Sequence, residues 1–160
     1  MSQKPSILFA IPCYGGVVYD NCVSGIYSIA KKIQEEGIDS NLLLVANESL
    51  ISTGRSNIAN MFINDTHYDY LMCIDADVGF KWYDIYALLA SQKEFVTGAY
   101  SMKIVPPKYN FQVSNPVVWD GDLLEIDHIG TGFQLIHRSV FEKMAKSFPE
   151  LKYVPHPHVS

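Results

Sequence analysis

The chain has 160 residues, of which 48% are hydrophobic and 18% charged, and its formal net charge is −5 at pH 7. This length and balance predict one globular domain with a single core. The acidic balance argues against a nucleic-acid partner or an anionic membrane surface, because no excess of basic side chains exists to neutralise phosphates.

Neither a targeting segment nor a membrane span is expected. The first apolar run, residues 7–11, is too short to cross a bilayer and stops at Pro12. The cysteines are odd in number and lack metal-binding spacing (Cys13, Cys22 and Cys73), which fits a reduced protein. We therefore expect a soluble, cytoplasmic protein.

Strands and helices alternate from the start of the chain. Residues 7–11 are continuously apolar, which predicts a strand buried on both faces. Residues 21–36 carry apolar side chains at helical spacing and precede Gly37, which predicts an amphipathic helix with a glycine stop. Residues 41–46 predict a second apolar strand.

The same alternation continues to about residue 100. Ser52 or Thr53 could cap a second helix, with Ile58, Met61 and Phe62 on its buried face. Residues 68–74 predict the third strand, a short helix with apolar positions at Trp82, Ile85, Leu88 and Leu89 follows, and residues 94–100 predict the fourth strand. Such alternation predicts βαβ crossovers and a mostly parallel sheet covered on both faces.

The texture changes after residue 100. Prolines and asparagines punctuate the short apolar segments FQV, PVVW, LLEI and FQLI, which predict small, antiparallel strands. Ser139 and Glu142 form a predicted capping box for a last helix. The chain reads as one α/β domain with a small mixed C-terminal part.

Two aspartates, Asp75 and Asp77, end the third predicted strand with one residue between them. In open α/β sheets, ligands bind beyond the carboxyl ends of the strands. If the chain stays extended through Ala76, both carboxylates point to one side and could hold Mg²⁺ or Mn²⁺ together with the phosphates of a substrate. The alternative is a solvated turn, in which Asp is common.

Five segments in this order resemble motifs of small GT-A-type glycosyltransferases of the inverting, family-2-like group, including those of large viruses and phages. They are AIPCYGG, ESLISTGRSNIAN, CIDADVGF, VTGAYSMK and HIGTGFQLIHRSVFEKM. The resemblance covers most of the chain. It implies a GT-A-like (Rossmann-like) domain over residues 1–160, with a nucleotide-binding half at 1–100 and an acceptor-side part at 101–160.

The resemblance also implies roles for single residues. Pro12, Cys13 and Tyr14 would lie against the nucleotide base, Glu48 would face the base or ribose, and Arg55 would approach the base or diphosphate. Three of these residues have a structural alternative. Tyr14 could pack on the first helix, Glu48 could be a helix-entry residue, and Arg55 could be a solvated charge.

Metal and phosphate contacts follow from the same resemblance. Asp75 would touch the ribose or a metal-bound water, Asp77 would be the direct metal ligand, and Lys103 would lie near the donor phosphates or the acceptor. Lys103 could equally be a solvated charge. His156 and His158 occupy the place of a late metal-ligating histidine, although an exposed proline-rich tail is the alternative.

The acceptor side is implied by the GTGF segment, in which Gly130, Thr131, Gly132 and Phe133 resemble a loop that lets the backbone approach a sugar. A β-bulge is the structural alternative. Asp127, just before this loop, is the candidate catalytic base. Relatives place a Glu-Asp pair after the following helix, and this chain ends before one, so we expect either a truncated chain, a minimal enzyme or a protein without turnover.

The resemblance thus implies a glycosyltransferase that uses Mn²⁺ or Mg²⁺, a UDP- or GDP-sugar donor and a glycan or other hydroxyl acceptor. The non-enzyme alternative is a nucleotide-sugar or glycan binding module. A nucleotidyltransferase should carry a basic, glycine-rich loop after the first strand, which is missing here. A haloacid-dehalogenase phosphatase usually places its aspartate pair after the first strand, with Thr or Val where this chain has Gly79.

Overall fold

A five-stranded sheet forms the centre of the computed structural model, which describes residues 4–46, 50–109 and 111–151. The strands are β1 (Ile7–Cys13), β2 (Ser40–Ala46), β3 (Tyr70–Ile74), β4 (Phe95–Thr97) and β9 (Phe133–His137). They lie in the order β2-β1-β3-β9-β4. The first three strands confirm the sequence prediction, and β4 is shorter than the predicted 94–100.

The sheet is mixed, so the prediction of a mostly parallel sheet was wrong. β1 pairs in parallel with β2 and β3, but β9 lies between β3 and β4 and is antiparallel to both. Phe133 and Leu135 explain this insertion, because both side chains are buried in the core beside the sheet. β9 was expected among the small C-terminal strands, and its apolar face places it in the main sheet instead.

Two small antiparallel pairs follow β4. β5 (Phe111–Val113) pairs with β8 (Ile126–Ile129), and β6 (Trp119–Asp120) pairs with β7 (Leu123–Leu124). Gly121, in the turn between β6 and β7, has a φ of 62°, a conformation that favours glycine. These pairs confirm the predicted antiparallel character of the C-terminal part.

Four helices cover the two faces of the sheet: α1 (Asp20–Glu36), α2 (Ile51–Asp65), α3 (Trp82–Ala90) and α4 (Arg138–Ser147). Ile29 of α1 and Ile85 of α3 pack in one core cluster, whereas Phe62 of α2 and Phe141 of α4 belong to the other. α1 ends at Gly37 in the left-handed conformation, as its sequence predicted. Among the described residues, no helix is long and apolar enough to cross a membrane.

The start of α2 differs from its prediction. Ile51 is the first helical residue, so Ser52 and Thr53 lie inside the first turn and do not cap it. The buried side of α2 consists of Gly54, Ile58 and Phe62, spaced four residues apart. Met61 falls off this stripe and is 39% exposed, so its assignment to the buried face was wrong.

The start of α4 also differs. His137 is the cap, and its Nδ1 accepts a hydrogen bond from the backbone N–H of Ser139 over 3.2 Å. The predicted capping box at Ser139 and Glu142 is therefore wrong by two residues, because Ser139 already lies in the first turn. Ser139 Oγ instead donates to Glu94 Oε1 over 2.7 Å.

Arg138 joins α4 to the carboxyl end of α2. Its guanidinium donates to the carbonyl oxygens of Phe62, Ile63, Thr66 and Tyr68 over 2.9 to 3.1 Å. It also lies over the Phe62 ring, 4.3 Å from the centroid. A cation is favourable here, since the last carbonyls of a helix lack helical partners and form the negative end of its dipole.

Candidate functional site

Several of the candidate residues meet where β3 and β4 end and β9 begins. The backbone N–H of Asp75, after β3, donates to the carbonyl of Gly132, before β9, over 2.8 Å. The N–H of Gly132 in turn donates to the hydroxyl of Tyr100, after β4, over 2.9 Å. These bonds bring the third, fourth and fifth motif segments together.

Gly132 packs tightly between Asp75 and Tyr100. A Cβ at this position would lie 2.5 Å from the Tyr100 hydroxyl oxygen and 2.7 Å from Asp75 Oδ2. Such distances are shorter than atomic contacts allow, so any side chain here would have to displace the Tyr100 hydroxyl or the Asp75 carboxylate. The register from Ile74↔Phe133 onward is continuous, so a β-bulge does not explain the glycine.

Asp75 and Asp77 lie in a turn, so the condition of an extended chain through Ala76 is not met. The N–H of Val78 donates to the Asp75 carbonyl over 3.0 Å and closes the turn. The N–H of Tyr19 donates to the Ala76 carbonyl over 2.9 Å, which ties the turn to the start of α1. The strand alternation that would put both carboxylates on one side therefore stops at β3.

Asp75 forms an ion pair with Arg55. Arg55 Nη2 lies 2.5 Å from Asp75 Oδ1, and the two side chains are 16% and 30% exposed. Arg55 lies in the second turn of α2 and was predicted to approach a base or diphosphate. Its Nε is buried and has no hydrogen-bond partner in the described part of the chain, so the guanidinium retains one donor for another group.

Asp77 forms a separate and more exposed ion pair with Lys103. Lys103 Nζ lies 2.6 Å from Asp77 Oδ2, and the side chains are 69% and 39% exposed. This hydrogen bond raises the pKa of Lys103 above its usual value. The ammonium also lies 5.0 Å from the centroid of the Tyr19 ring, and Asn21 Nδ2 donates to the Asp77 carbonyl over 3.1 Å.

The described residues contain no group of three or more His, Cys, Asp or Glu side chains that could hold a metal ion. Asp75 and Asp77 each face a cationic side chain. A divalent ion at this place would thus have one or two protein carboxylates, and a ligand would have to supply the rest of its shell. His156 and His158, predicted as late metal ligands, lie outside the described residues.

The three candidate residues at the end of β1 differ in their exposure to solvent. Tyr14 begins a short 3₁₀ turn and is 76% exposed. Pro12 is half-buried. Cys13 is 3% exposed, its thiol donates to the Ile11 carbonyl, and burial raises its pKa. The Tyr14 ring is therefore free to meet a ligand, whereas the Cys13 side chain belongs to the core. Glu48 lies outside the described residues.

Asp127, the predicted base, lies on β8 and not at the edge described above. Its Oδ1 accepts from Ser114 Oγ over 3.1 Å, and it lines a cavity on the outer side of β4 and β9. None of the hydrogen bonds or ion pairs of the described residues joins Asp127 to Asp75, Asp77 or Gly132.

The predicted acceptor loop is only partly available to a ligand. Thr131 is exposed and Gly130 is half-buried. The Phe133 ring is buried, packs against Phe80 at 5.5 Å between centroids, and would overlap a Cβ at Gly98. Phe133 is therefore a core residue at the start of β9.

Sequence reasoning missed three residues that shape this edge: Tyr19, Asn21 and Tyr100. Tyr100 lies inside the VTGAYSMK segment, so its motif could have drawn attention to it. Tyr19 and Asn21 carry no local signal, because their contacts with the 75–77 turn join residues more than 50 positions apart. A cavity of about 330 Å³ lies beside Tyr100, which lines it together with Val78, Gly79 and others.

Comparisons with known proteins give a fold but not a family. No family model matches the chain, and no curated protein matches it. The crystal structure of A197 from STIV is similar over 86% of this chain and 68% of that chain, with a TM-score of 0.56 and 22% identity. At this identity the similarity shows a shared α/β fold alone.

A second solved structure is more distant. It is a 4-diphosphocytidyl-2C-methyl-D-erythritolsynthase from Anaerococcus prevotii DSM 20548, with a TM-score of 0.49 and 8% identity over 96% of this chain and 79% of that chain. A likeness this low supports no conclusion about function.

Proposed function

We propose that the chain is a divalent-metal-dependent glycosyltransferase that moves a sugar from a UDP- or GDP-linked donor to a hydroxyl group of a glycan or another acceptor, with inversion. The observation that carries this proposal is the pair of aspartates at the carboxyl edge of the sheet. Asp75 pairs with the largely buried Arg55, and Asp77 pairs with the exposed Lys103. Ligands of open α/β sheets bind at this edge.

The two aspartates are suited to different tasks. Asp75 is held by Arg55, by its backbone bond to Gly132 and by close packing, so it is fixed in place. Asp77 is paired with a lysine that is 69% exposed, and exposed ion pairs contribute little stability. Asp77 is therefore the carboxylate that can exchange its partner for a divalent ion, and Asp75 is suited to orient a ribose or a metal-bound water.

The remaining residues would bind and orient the donor. A bound Mn²⁺ or Mg²⁺ would stabilise negative charge on the leaving diphosphate. Lys103, once displaced from Asp77, would remain close enough to contact a phosphate oxygen, and the free donor of Arg55 offers a further contact. The exposed ring of Tyr14 offers a face for the base.

Transfer also requires a base. The bond between the sugar C1 and the acceptor oxygen forms as the bond from C1 to the diphosphate oxygen breaks, and the acceptor hydroxyl loses its proton. Asp127 is the proposed base, although its contact is with Ser114, the residue that follows the neighbouring strand β5. That placement favours one second candidate, a nucleotide-sugar binding module without turnover.

The test is calorimetric titration of UDP and GDP, with and without Mn²⁺, into the unmodified chain and into Asp77→Asn. We expect binding that depends on the metal, prefers one base and weakens at least about tenfold in the variant, because a neutral amide replaces the carboxylate proposed to bind the metal. Asp65→Asn, a change of the same kind at an exposed position of α2, should bind normally.

Two results would separate the alternatives. Absence of binding for both nucleotides would refute the proposed donor site. Binding without metal-dependent hydrolysis or transfer of a UDP- or GDP-sugar would support the binding module over the enzyme.

A further inference from the structure

A second cavity, of about 720 Å³, lies on the outer side of β4 and β9, below the small pairs β5–β8 and β6–β7. Its size is within the range of small-molecule sites. Of the strands that meet at the edge described above, only β4 and β9 also line this cavity. Asp75 and Asp77 are not part of its lining. A ligand in this cavity would therefore be distinct from the proposed nucleotide.

The lining combines an apolar surface with acidic groups. Phe95, Phe111, Leu124 and Ile126 contribute carbon surface, and the carboxylates are those of Asp120, Asp122, Glu125 and Asp127. Lys93 pairs with Asp120. The carboxylates of Asp122 and Glu125 form no ion pair with any described residue. The cavity thus has an acidic excess that attracts cations and repels anions.

Gln134 supplies an independent sign of a ligand. It is only 7% exposed, and it lines the cavity. Its neighbours Phe133 and Leu135 face the opposite core, so strand alternation directs Gln134 to the cavity side, where Thr97 is its strand partner. Within residues 4–46, 50–109 and 111–151 its side-chain amide has no hydrogen bond. The side chain is thus largely buried, unpaired within the protein and open only to the cavity, where a ligand can bond its amide.

We propose that this cavity binds a small amino alcohol. Its ammonium group pairs with Asp122 and Glu125, its carbon chain lies on the Phe95 and Phe111 surface, and its hydroxyl group bonds the amide of Gln134. A hydrated metal ion fits less well, because much of the lining is apolar and the described carboxylates form no metal-binding group. The inference does not depend on the proposed glycosyltransferase activity.

Three probes with the same five-carbon chain separate the contributions of the ammonium and hydroxyl groups. Aminopentanol has both polar groups, pentylamine lacks the hydroxyl, and pentanediol lacks the charge. Each is titrated into the full chain, labelled with ¹⁵N, while the side-chain amide signals of Gln134 are followed by NMR; Gln134→Leu assigns those signals. We expect aminopentanol to shift them and to bind about tenfold more tightly than pentanediol, because only the amine meets the carboxylates.

Variants test the assignment of each group. Asp122→Asn combined with Glu125→Gln should weaken aminopentanol about tenfold and leave pentanediol unchanged, whereas Asp65→Asn, an exposed acid outside the cavity, should change neither. Gln134→Leu should abolish the preference for aminopentanol over pentylamine. Equal binding of aminopentanol and pentanediol, unshifted Gln134 signals, or the same loss in Asp65→Asn would overturn the proposal. Nucleotide binding is measured separately, so either idea can fail alone.

Discussion

At the scale of single residues, Gly132 has the least freedom at the candidate site. Gly132→Ala would push a methyl group into Asp75 Oδ2 and the Tyr100 hydroxyl. The Asp75 carboxylate is held by Arg55, and the Tyr100 hydroxyl accepts from the N–H of residue 132 itself. We expect a loss of about 1 to 3 kcal/mol in the free energy of unfolding, together with weaker nucleotide binding, measured by denaturant unfolding and calorimetry. Thr131→Ala, beside it and exposed, should change stability by less than about 0.5 kcal/mol. Equal effects of the two substitutions would show that the packing at Gly132 is unimportant.

The residue scale also shows what the sequence could predict about the site. Asp75 and Asp77 were singled out because they follow an apolar strand, and Gly132 because its segment resembles a family loop; the sheet edge brings these segments together. The partners of the aspartates were not predicted as partners, since Arg55 and Lys103 come from a helix and a loop that are distant in sequence. Asp127 was expected near the same edge because it is close in sequence to Gly132, but β8 pairs with β5 and carries it to another cavity.

At the scale of elements, Arg138 connects α4 to the end of α2. Arg138→Met would remove charged hydrogen bonds to four carbonyl groups while keeping much of the contact with Phe62. We expect a loss of about 3 kcal/mol in the free energy of unfolding, measured by chemical denaturation. Lys146→Met, an exposed cation on the same helix, should cost less than about 1 kcal/mol. A similar small loss in both variants would mean that water replaces the guanidinium at these carbonyls.

The elements themselves were predicted best where a local pattern decides them. α1 has a full amphipathic stripe and a glycine stop, and β1 and β3 are continuous apolar runs, so these elements formed as expected. The starts of α2 and α4 were misplaced because Ser and Thr residues inside a first turn look like caps in the sequence. The position of β9 was missed because strand order depends on which distant surfaces an apolar face can cover, and no local pattern specifies it.

At the scale of the whole molecule, β9 joins the early and late parts of the chain in one sheet. It comes from the last sixty residues of the sequence, yet it lies between β3 and β4, which belong to the first hundred. Leu135 is fully buried there and packs with residues of β1, α1 and α3. The first hundred residues should therefore not unfold independently of β9.

Leu135→Ala tests this dependence. We expect the free energy of unfolding to fall by about 3 kcal/mol, because a fully buried leucine leaves a cavity. If the sheet is one cooperative unit, amide hydrogen exchange in β1 and β3 should lose the same protection as in β4 and β9, since all exchange through the same global opening. Leu124→Ala in β7, where the side chain is half-buried, should cost less and leave exchange in β1 nearly unchanged. Faster exchange confined to β4 and β9 would show instead that the outer strands open separately, and that β1 to β3 form a core that is stable without them.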